Sequence, residues 1–471
     1  MNDQNSIRLV TRNFLSLGSG ETIARLIAFG ATVFVAQRLG TSSFGALQLA
    51  AAIVLYFYRV VDVGFELGLG AREVAARTVD PGQLASSATT VRGLIAVFCV
   101  TGLVVFGLTV MPEPEGSVLA VQAFTLLAVG IGTRWLHVGF ERTALVAAAR
   151  TIGEIVMVAI VLLFVRRPAD LLRVPMAQVA GDMLASGILL VGAARIVRMR
   201  PRIDWTVLAP FARRGVHLAS SALFSLMIYN ADLVFLRVFR DSATVGLYAA
   251  AYALISFLSN LSMAYGLTLI PTLTRLARDR VQQRSLFQAV NAQALLVSLA
   301  IAVGGCLLAP GIIRFVFGRE YGLSAPALAI LIWSIPFAVL QNLAISGLLS
   351  EGREGVVMKL TGTAAGLNLV LNFALVPRWG MAGAAVATTI TEAFRLVLAS
   401  VAARPLGFAL PPLTRLVRPV VPALVMAAVL WPLRSAGLLI AIPGGAAAWL
   451  LVLTLAGGIH RHPGELPTLD V

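Results

Sequence analysis

The chain has 471 residues, 58% hydrophobic and only 13% charged, with 37 Lys/Arg against 22 Asp/Glu and a formal net charge of +15. Soluble domains carry about 25% charged residues, so this chain cannot cover the water-facing surface of the two or three domains its length would make. A soluble enzyme, a fibrous protein and a disordered chain are excluded, and a polytopic membrane protein is left.

A helix crosses a bilayer with about 20 apolar residues. Apolar runs fall at 16–37, 44–65, 86–110, 118–138, 143–165, 174–197, 214–236, 245–271, 286–308, 324–349, 356–377, 381–402, 413–433 and 436–458. They are continuous and rich in Leu, Ala, Val and Gly, unlike the alternating strands of a barrel. The fold class expected is an all-α integral membrane protein with about 14 transmembrane helices. The polar start, MNDQNSIRLVTRN, gives no cleavable signal peptide. The loops 195–214 and 275–284 are rich in Arg, and 111–117 holds two Glu and no basic residue. By the positive-inside rule the first two loops and both termini are cytoplasmic. The longer cytoplasmic stretches, 66–85, 198–213 and 273–285, read as basic segments lying on anionic phospholipids. No basic stripe interleaves with aromatics, so no nucleic-acid partner is expected.

An internal repeat links VAQRLGTSSFGALQLAAAIVLYF (35–57) to FLRVFRDSATVGLYAAAYALISF (235–257), with Gly45 and Gly246 in equivalent places, 246 − 45 = 201 residues apart. Two six-helix lobes are expected, 1–212 and 213–407, followed by 408–471 with two further helices and a cytoplasmic tail. Halves of even helix number share one topology, so the axis relating them runs along the membrane normal and the substrate path lies between them.

Charges inside the apolar runs point to function, because each costs about 2.5–3.5 kcal/mol at a helix centre. Glu21 and Arg25 are four apart, Arg59 and Asp62 three apart, Arg150 and Glu154 four apart, and Glu392 and Arg395 three apart. Arg134 and His137 end the fourth run, Asp182 has no basic residue within a turn, and His217, Asn230 and Asp232 lie in the seventh. Opposite charges at these spacings can neutralise one another and merely fix packing. Most, however, fall in the first half: at the 201-residue offset Arg25 maps to Leu226 and Arg59 to Asn260. An anion site built from Arg25, Arg59, Arg134 and Arg150 is expected, with Glu21, Asp62, Glu154, Asp182 and Asp232 as candidates for ion or proton coupling. Asp182 would either carry a proton or pair with an arginine from another helix. Cys99 and Cys306 are expected to be free thiols; no metal-ligand spacing, phosphate-cradling loop or HExxH is present, and no cofactor is expected.

The stretch GLYAAAYALISFLSN from Gly246 with Pro271, then FGREY from Phe317, then NLVLNFALVPRWGMAGAAVATTITE over 368–392, resembles the polysaccharide-biosynthesis flippases. GTSSFGALQ from Gly40 and GFELGLGAREVAAR from Gly64 are similar to their first-half loop and the segment after the second helix. The resemblance places the chain in the multidrug/oligosaccharidyl-lipid/polysaccharide exporter superfamily. It implies a MATE-like fold of two lobes working by alternating access, and no enzymatic activity. It implies a substrate, undecaprenyl-pyrophosphate-linked oligosaccharide, carried from the inner to the outer leaflet of the bacterial cytoplasmic membrane, with polysaccharide polymerase and glycosyltransferases as possible partners. On that model Arg25 and Arg59 contact pyrophosphate or acidic sugars, and the last two helices form a groove for the polyprenyl tail. The alternatives are a MATE-type cation or drug antiporter, which should show an acidic, aromatic cavity, and a membrane enzyme on polyprenyl-linked sugars, which should show a large outside loop with catalytic groups.

Overall fold

The computed structural model describes residues 3–77, 79–408, 410, 419–455, 459–460 and 468–469; within them, side chains of 3–27, 67, 210, 212–219, 221, 229, 264, 267 and the two terminal strands are outside the description. The chain is almost wholly helical: α1 (Asp3–Asp62), α2 (Gly70–Ala76), α3 (Pro81–Val110), α4 (Glu115–Ala123), α5 (Thr125–Ile131), α6 (Arg134–Gly139), α7 (Thr143–Phe164), α8 (Arg173–Ala194), α9 (Trp205–Phe239), α10 (Ser242–Arg275), α11 (Arg280–Val316), α12 (Ala325–Leu331), α13 (Ser334–Ser350), α14 (Glu354–Trp379), α15 (Met381–Ala403), α16 (Val420–Leu433) and α17 (Leu438–Leu455). Ile459–His460 and Thr468–Leu469 pair as a two-stranded antiparallel ribbon.

Among the described residues, ten helices are long and apolar enough to cross a membrane, and up to twelve if each of two bent pairs is one span. One bend, of 49°, falls between Ala222–Ile228 and Asn230–Phe239 in α9; the other, of 46°, joins Arg319–Leu331 to Ser334–Ser350. The sequence expectation was about fourteen. The 16–37 run lies mostly outside the described side chains, and α16, in the 413–433 run, is only 14 residues long. The protein is nonetheless a multi-pass, all-helical membrane protein.

The helices group into two compact units, residues 34–246 and residues 1–33 with 247–471. In the first unit, α1 is broken at Gly40, whose φ of 76° suits glycine alone. Just beyond, the sequence repeat becomes a physical contact. A Cβ on Gly45 would sit 1.9 Å from the Ser242 carbonyl oxygen, and one on Gly246 1.9 Å from that of Thr41. Thr41 and Ser242 are also 201 residues apart. Equivalent positions therefore touch reciprocally, as they would across a local two-fold axis. Glycines also bring α7 and α8 together: Cβ atoms at Gly153 and Gly181 would each lie 2.5 Å from the other residue's carbonyl oxygen. Lipid tails are as apolar as Leu, so such close backbone packing, more than hydrophobic burial, holds helices together.

At one end of this unit a core forms from Phe65, Leu69, Val74, Leu84, Trp135, Leu136 and Phe211. Phe65 lies 5.2 Å from the Trp135 ring and 5.9 Å from Phe211. The other unit has a comparable core of Leu269, Phe287, Leu343, Leu348 and Phe408, with Phe287 against Phe408 at 5.1 Å.

Candidate functional site

In the first unit the charges gather where α1 ends. After Asp62 the chain turns through Val63 and Gly64, both at positive φ, into a short π-turn over Phe65–Leu69. The turn folds Glu66 back, so that its amide N–H donates to Asp62 Oδ1 at 2.9 Å. Arg92 enters from α3. Its Nη1 donates to Gly132 O and its Nη2 to Val129 O, both at 2.8 Å, which satisfies carbonyls left open at the end of α5. The same Nη2 lies 3.5 Å from Asp62 Oδ1 and 4.0 Å from Glu66 Oε1, and the guanidinium sits 5.7 Å from the Phe65 ring centre. Arg134 closes the row with Nη1 3.7 Å from Glu66 Oε2.

The order is carboxylate, guanidinium, carboxylate, guanidinium. Asp62 and Arg92 are buried, while Arg134 is 53% exposed. Burial pushes the Glu66 carboxyl up, Arg92 pulls it down and Asp62 pushes it up again; the net direction is upward. Buried polar atoms without a hydrogen-bond partner crowd this region: Asp62 Oδ2, Arg92 Nε, Thr133 Oγ1, Trp135 Nε1 and His137 Nδ1. His137 spends its Nε2 on the Leu189 carbonyl, at 2.8 Å.

Arg59 takes no part in an ion pair among the described residues. It is half-buried, with its guanidinium 5.2 Å from the Tyr58 ring centre and its Nε unpartnered. The local spacing would give it Asp62. That carboxylate belongs instead to Arg92, because Asp62 is the last helical residue and the turn beyond it swings toward α3.

A second cluster lies on α7 and α8. Arg150 Nε is 2.9 Å from Glu154 Oε1. Asp182 bonds Gln178 and stands within electrostatic reach of Arg150 and Glu154. The Gly153–Gly181 contact brings α7 and α8 together, so Asp182 stands within electrostatic reach of an arginine on the preceding helix. A third site joins α1 to α9: Tyr56 Oη donates to Leu226 O at 3.3 Å and faces the buried Asp232. Asn230 Nδ2 bonds the same Leu226 carbonyl, at 3.2 Å. The side chains of Glu21, Arg25 and His217 lie outside the described residues.

Sequence reasoning passed over Arg92, Glu66, Glu115 and Arg237. Glu115 accepts from Arg237 Nε at 2.9 Å and from the Ser242 hydroxyl. These partners are more than a hundred residues apart, so no local spacing announces them. Arg92 did carry a signal: it is the sole charge between Asp80 and Glu113.

The second unit is chemically different. Its buried polar groups are mainly neutral: Asn368 Nδ2 donates to Thr391 Oγ1 at 3.3 Å, and Asn372 Nδ2 to Asn368 Oδ1 at 3.1 Å. The one buried ion pair among its described residues is Glu392–Arg395, at 2.7 Å. The same unit holds an apolar, partly open cavity of about 430 Å³ lined by α10, α11, α12, α16 and α17. Phe257, Ile301, Leu308, Met426, Leu430 and Trp449 line it, with Gly304 and Gly445 opening room between them.

A family model described as polysaccharide biosynthesis protein matches residues 10–277. A probable low-salt glycan biosynthesis flippase of Haloferax volcanii is 23% identical over 411 residues, 84% of this chain and 82% of that protein. A putative O-antigen transporter of Shigella dysenteriae is 22% identical over 369 residues, 75% of this chain and 90% of that one. Among solved structures, the lipid II flippase MurJ in an inward closed conformation superposes with a TM-score of 0.77 at 14% identity, covering 94% of this chain and 98% of that one. An inward-facing multidrug resistance MATE transporter of the MOP superfamily gives 0.66 at 12% identity, covering 82% and 98%. The fold is therefore MATE-like and MurJ-like, and the chain belongs to the polysaccharide biosynthesis protein family.

Proposed function

We propose that this transporter flips an undecaprenyl-pyrophosphate-linked oligosaccharide from the inner to the outer leaflet of the bacterial cytoplasmic membrane by alternating access, with both termini cytoplasmic. The observation that carries this reading is the almost wholly apolar lining of the cavity walled by α16 and α17, which holds no charged side chain. A water-soluble cation offers nothing to such a surface, whereas a polyprenyl chain fits it. The anionic headgroup is assigned to the first half. Arg59 and Arg134 are the leading contacts, since neither is fully committed to a carboxylate, and Arg25 and Arg150 are assigned the same role. Arginine suits pyrophosphate because its planar fork binds phosphate oxygens in pairs. Coupling to an ion or proton gradient is assigned to Glu21, Asp62, Glu154, Asp182 and Asp232. Asp182 leads because it lies inside a spanning helix within electrostatic reach of both Arg150 and Glu154 on the neighbouring helix.

The test is flipping of fluorescent polyprenyl-pyrophosphate oligosaccharide in reconstituted vesicles. Wild type should flip it, and the Arg59→Ala, Arg134→Ala double variant should fold and flip at least tenfold more slowly, one charged contact each being worth about 1.5–3 kcal/mol. Exchange of protons for organic cations, with no movement of the lipid-linked sugar, would replace this reading with the antiporter.

A further inference from the structure

The link between α8 and α9 is not a slack loop. Arg195–Val197 turn off the end of α8, and residues 198–204 run on without helix or strand. Val197 and Met199 pack inward against the Phe65–Trp135–Phe211 core, while Arg195, Arg198, Arg200 and Arg202 face outward and are exposed.

The first turns of α3 hold this strap in place. Amide N–H groups of Arg200, Arg202 and Asp204 donate to the hydroxyls of Ser86, Thr90 and Ser87 at 3.0, 3.3 and 3.2 Å. The Ser86 and Thr90 hydroxyls pass their own protons to the Gly82 and Ser86 carbonyls, both at 2.7 Å, so each is used as donor and acceptor. Gly82 leaves room for the Arg198 carbonyl, which a Cβ there would approach to 3.2 Å. Arg202 pairs with Asp204 at 3.0 Å, while no carboxylate pairs with Arg195, Arg198 or Arg200 among the described residues. Beside these cations stand two exposed apolar groups, Ile203 and Trp205, the latter 64% exposed.

We infer that residues 195–205 form a preorganised dock for the headgroups of anionic phospholipids. The hydrogen bonds to α3 fix the backbone that carries these cations, so less freedom is lost on binding. Ile203 and Trp205 decide between a lipid surface and a soluble phosphate: a dissolved anion has no use for exposed apolar groups, whereas Trp settles at the membrane–water interface. The seat is independent of the flipping assignment, because its binding is read without transport.

The test uses the full-length detergent-purified protein and native mass spectrometry, comparing bound phosphatidylglycerol with phosphatidylcholine. Each unpaired surface arginine should contribute about fivefold, so the triple variant R195Q/R198Q/R200Q should lose about a hundredfold of the preference. The S86A/T90V variant keeps every charge and frees the strap, and should lose severalfold. Should the triple variant fold poorly, wild type at about 1 M salt serves the same purpose, since screening there removes surface attraction. The inference is overturned if the triple variant or high salt leaves the preference unchanged, if S86A/T90V binds as wild type, or if inorganic pyrophosphate displaces the phosphatidylglycerol, which would make the strap a soluble-phosphate site.

Discussion

The charged end of the 34–246 unit and the apolar cavity of the 247–455 segment occupy halves that share a repeat and share almost no chemistry. At the 201-residue offset Arg59, Asp62 and Arg92 become Asn260, Met263 and Gln293. Helix lengths and the reciprocal glycines at 45 and 246 are kept, because backbone geometry must recur for equivalent helices to pack. The charges need not recur, and among the described residues the Asp62–Arg92–Glu66–Arg134 row has no counterpart in the other unit, whose one buried ion pair is Glu392–Arg395. On the function proposed above, one half would take the charged headgroup and the other the apolar chain, with neutral amides for internal cohesion.

Four substitutions sharpen or break that comparison. Arg92→Met should be the most damaging, because it strands Asp62 and leaves Glu66 only Arg134; removing one partner of a buried pair costs about 3–5 kcal/mol. Thermal unfolding of the purified protein should show it, and Asp62→Asn should restore part of the loss in the Arg92→Met background. If the single variant melts like wild type, the row of charges is not a structural unit. Gly246→Val follows, since its side chain meets the Thr41 carbonyl; overpacking of this kind costs about 1–3 kcal/mol, and a normal yield of monodisperse protein would contradict the glycine contact. In the neutral half, Asn372→Leu should cost about 1–3 kcal/mol by leaving the Asn368 carboxamide oxygen without its donor.

The smallest effect concerns Glu351, whose carboxyl is held below the usual carboxylate range first by its hydrogen bond to Arg280 and then by that residue's charge. Its folded pKa lies below the unfolded value of about 4.3. The contribution is thus present above that value and fades as pH falls through the folded pKa. Because Arg280 is 47% exposed, Glu351→Gln should cost less than about 1 kcal/mol at pH 7, and progressively less as the pH falls through the lowered folded pKa. A loss that stays the same as the pH falls would show that the pair does not act through charge.

Much of the architecture was legible in the sequence. Hydropathy placed the spans, and the repeat located the glycines that meet. Spacing within a helix also found real pairs, Arg150–Glu154 and Glu392–Arg395. It failed at Arg59 and Asp62, where the helix stops and the turn hands the carboxylate to another segment. It could not see Glu115–Arg237 or the α16–α17 cavity, because both are made by segments far apart in the chain.

The most direct measurement uses Gly304, where a Cβ would find nothing nearer than Met426 Cε at 3.7 Å. Gly304→Leu should therefore fold as wild type while filling the cavity. Flipping rates would be compared for long-chain and two-isoprene versions of the same pyrophosphate-linked oligosaccharide. Wild type should move the long-chain substrate at least tenfold faster, and Gly304→Leu should bring both to the lower rate. A Gly304→Leu protein that still moves the long-chain substrate at the wild-type rate would contradict the assignment of this cavity to the lipid tail.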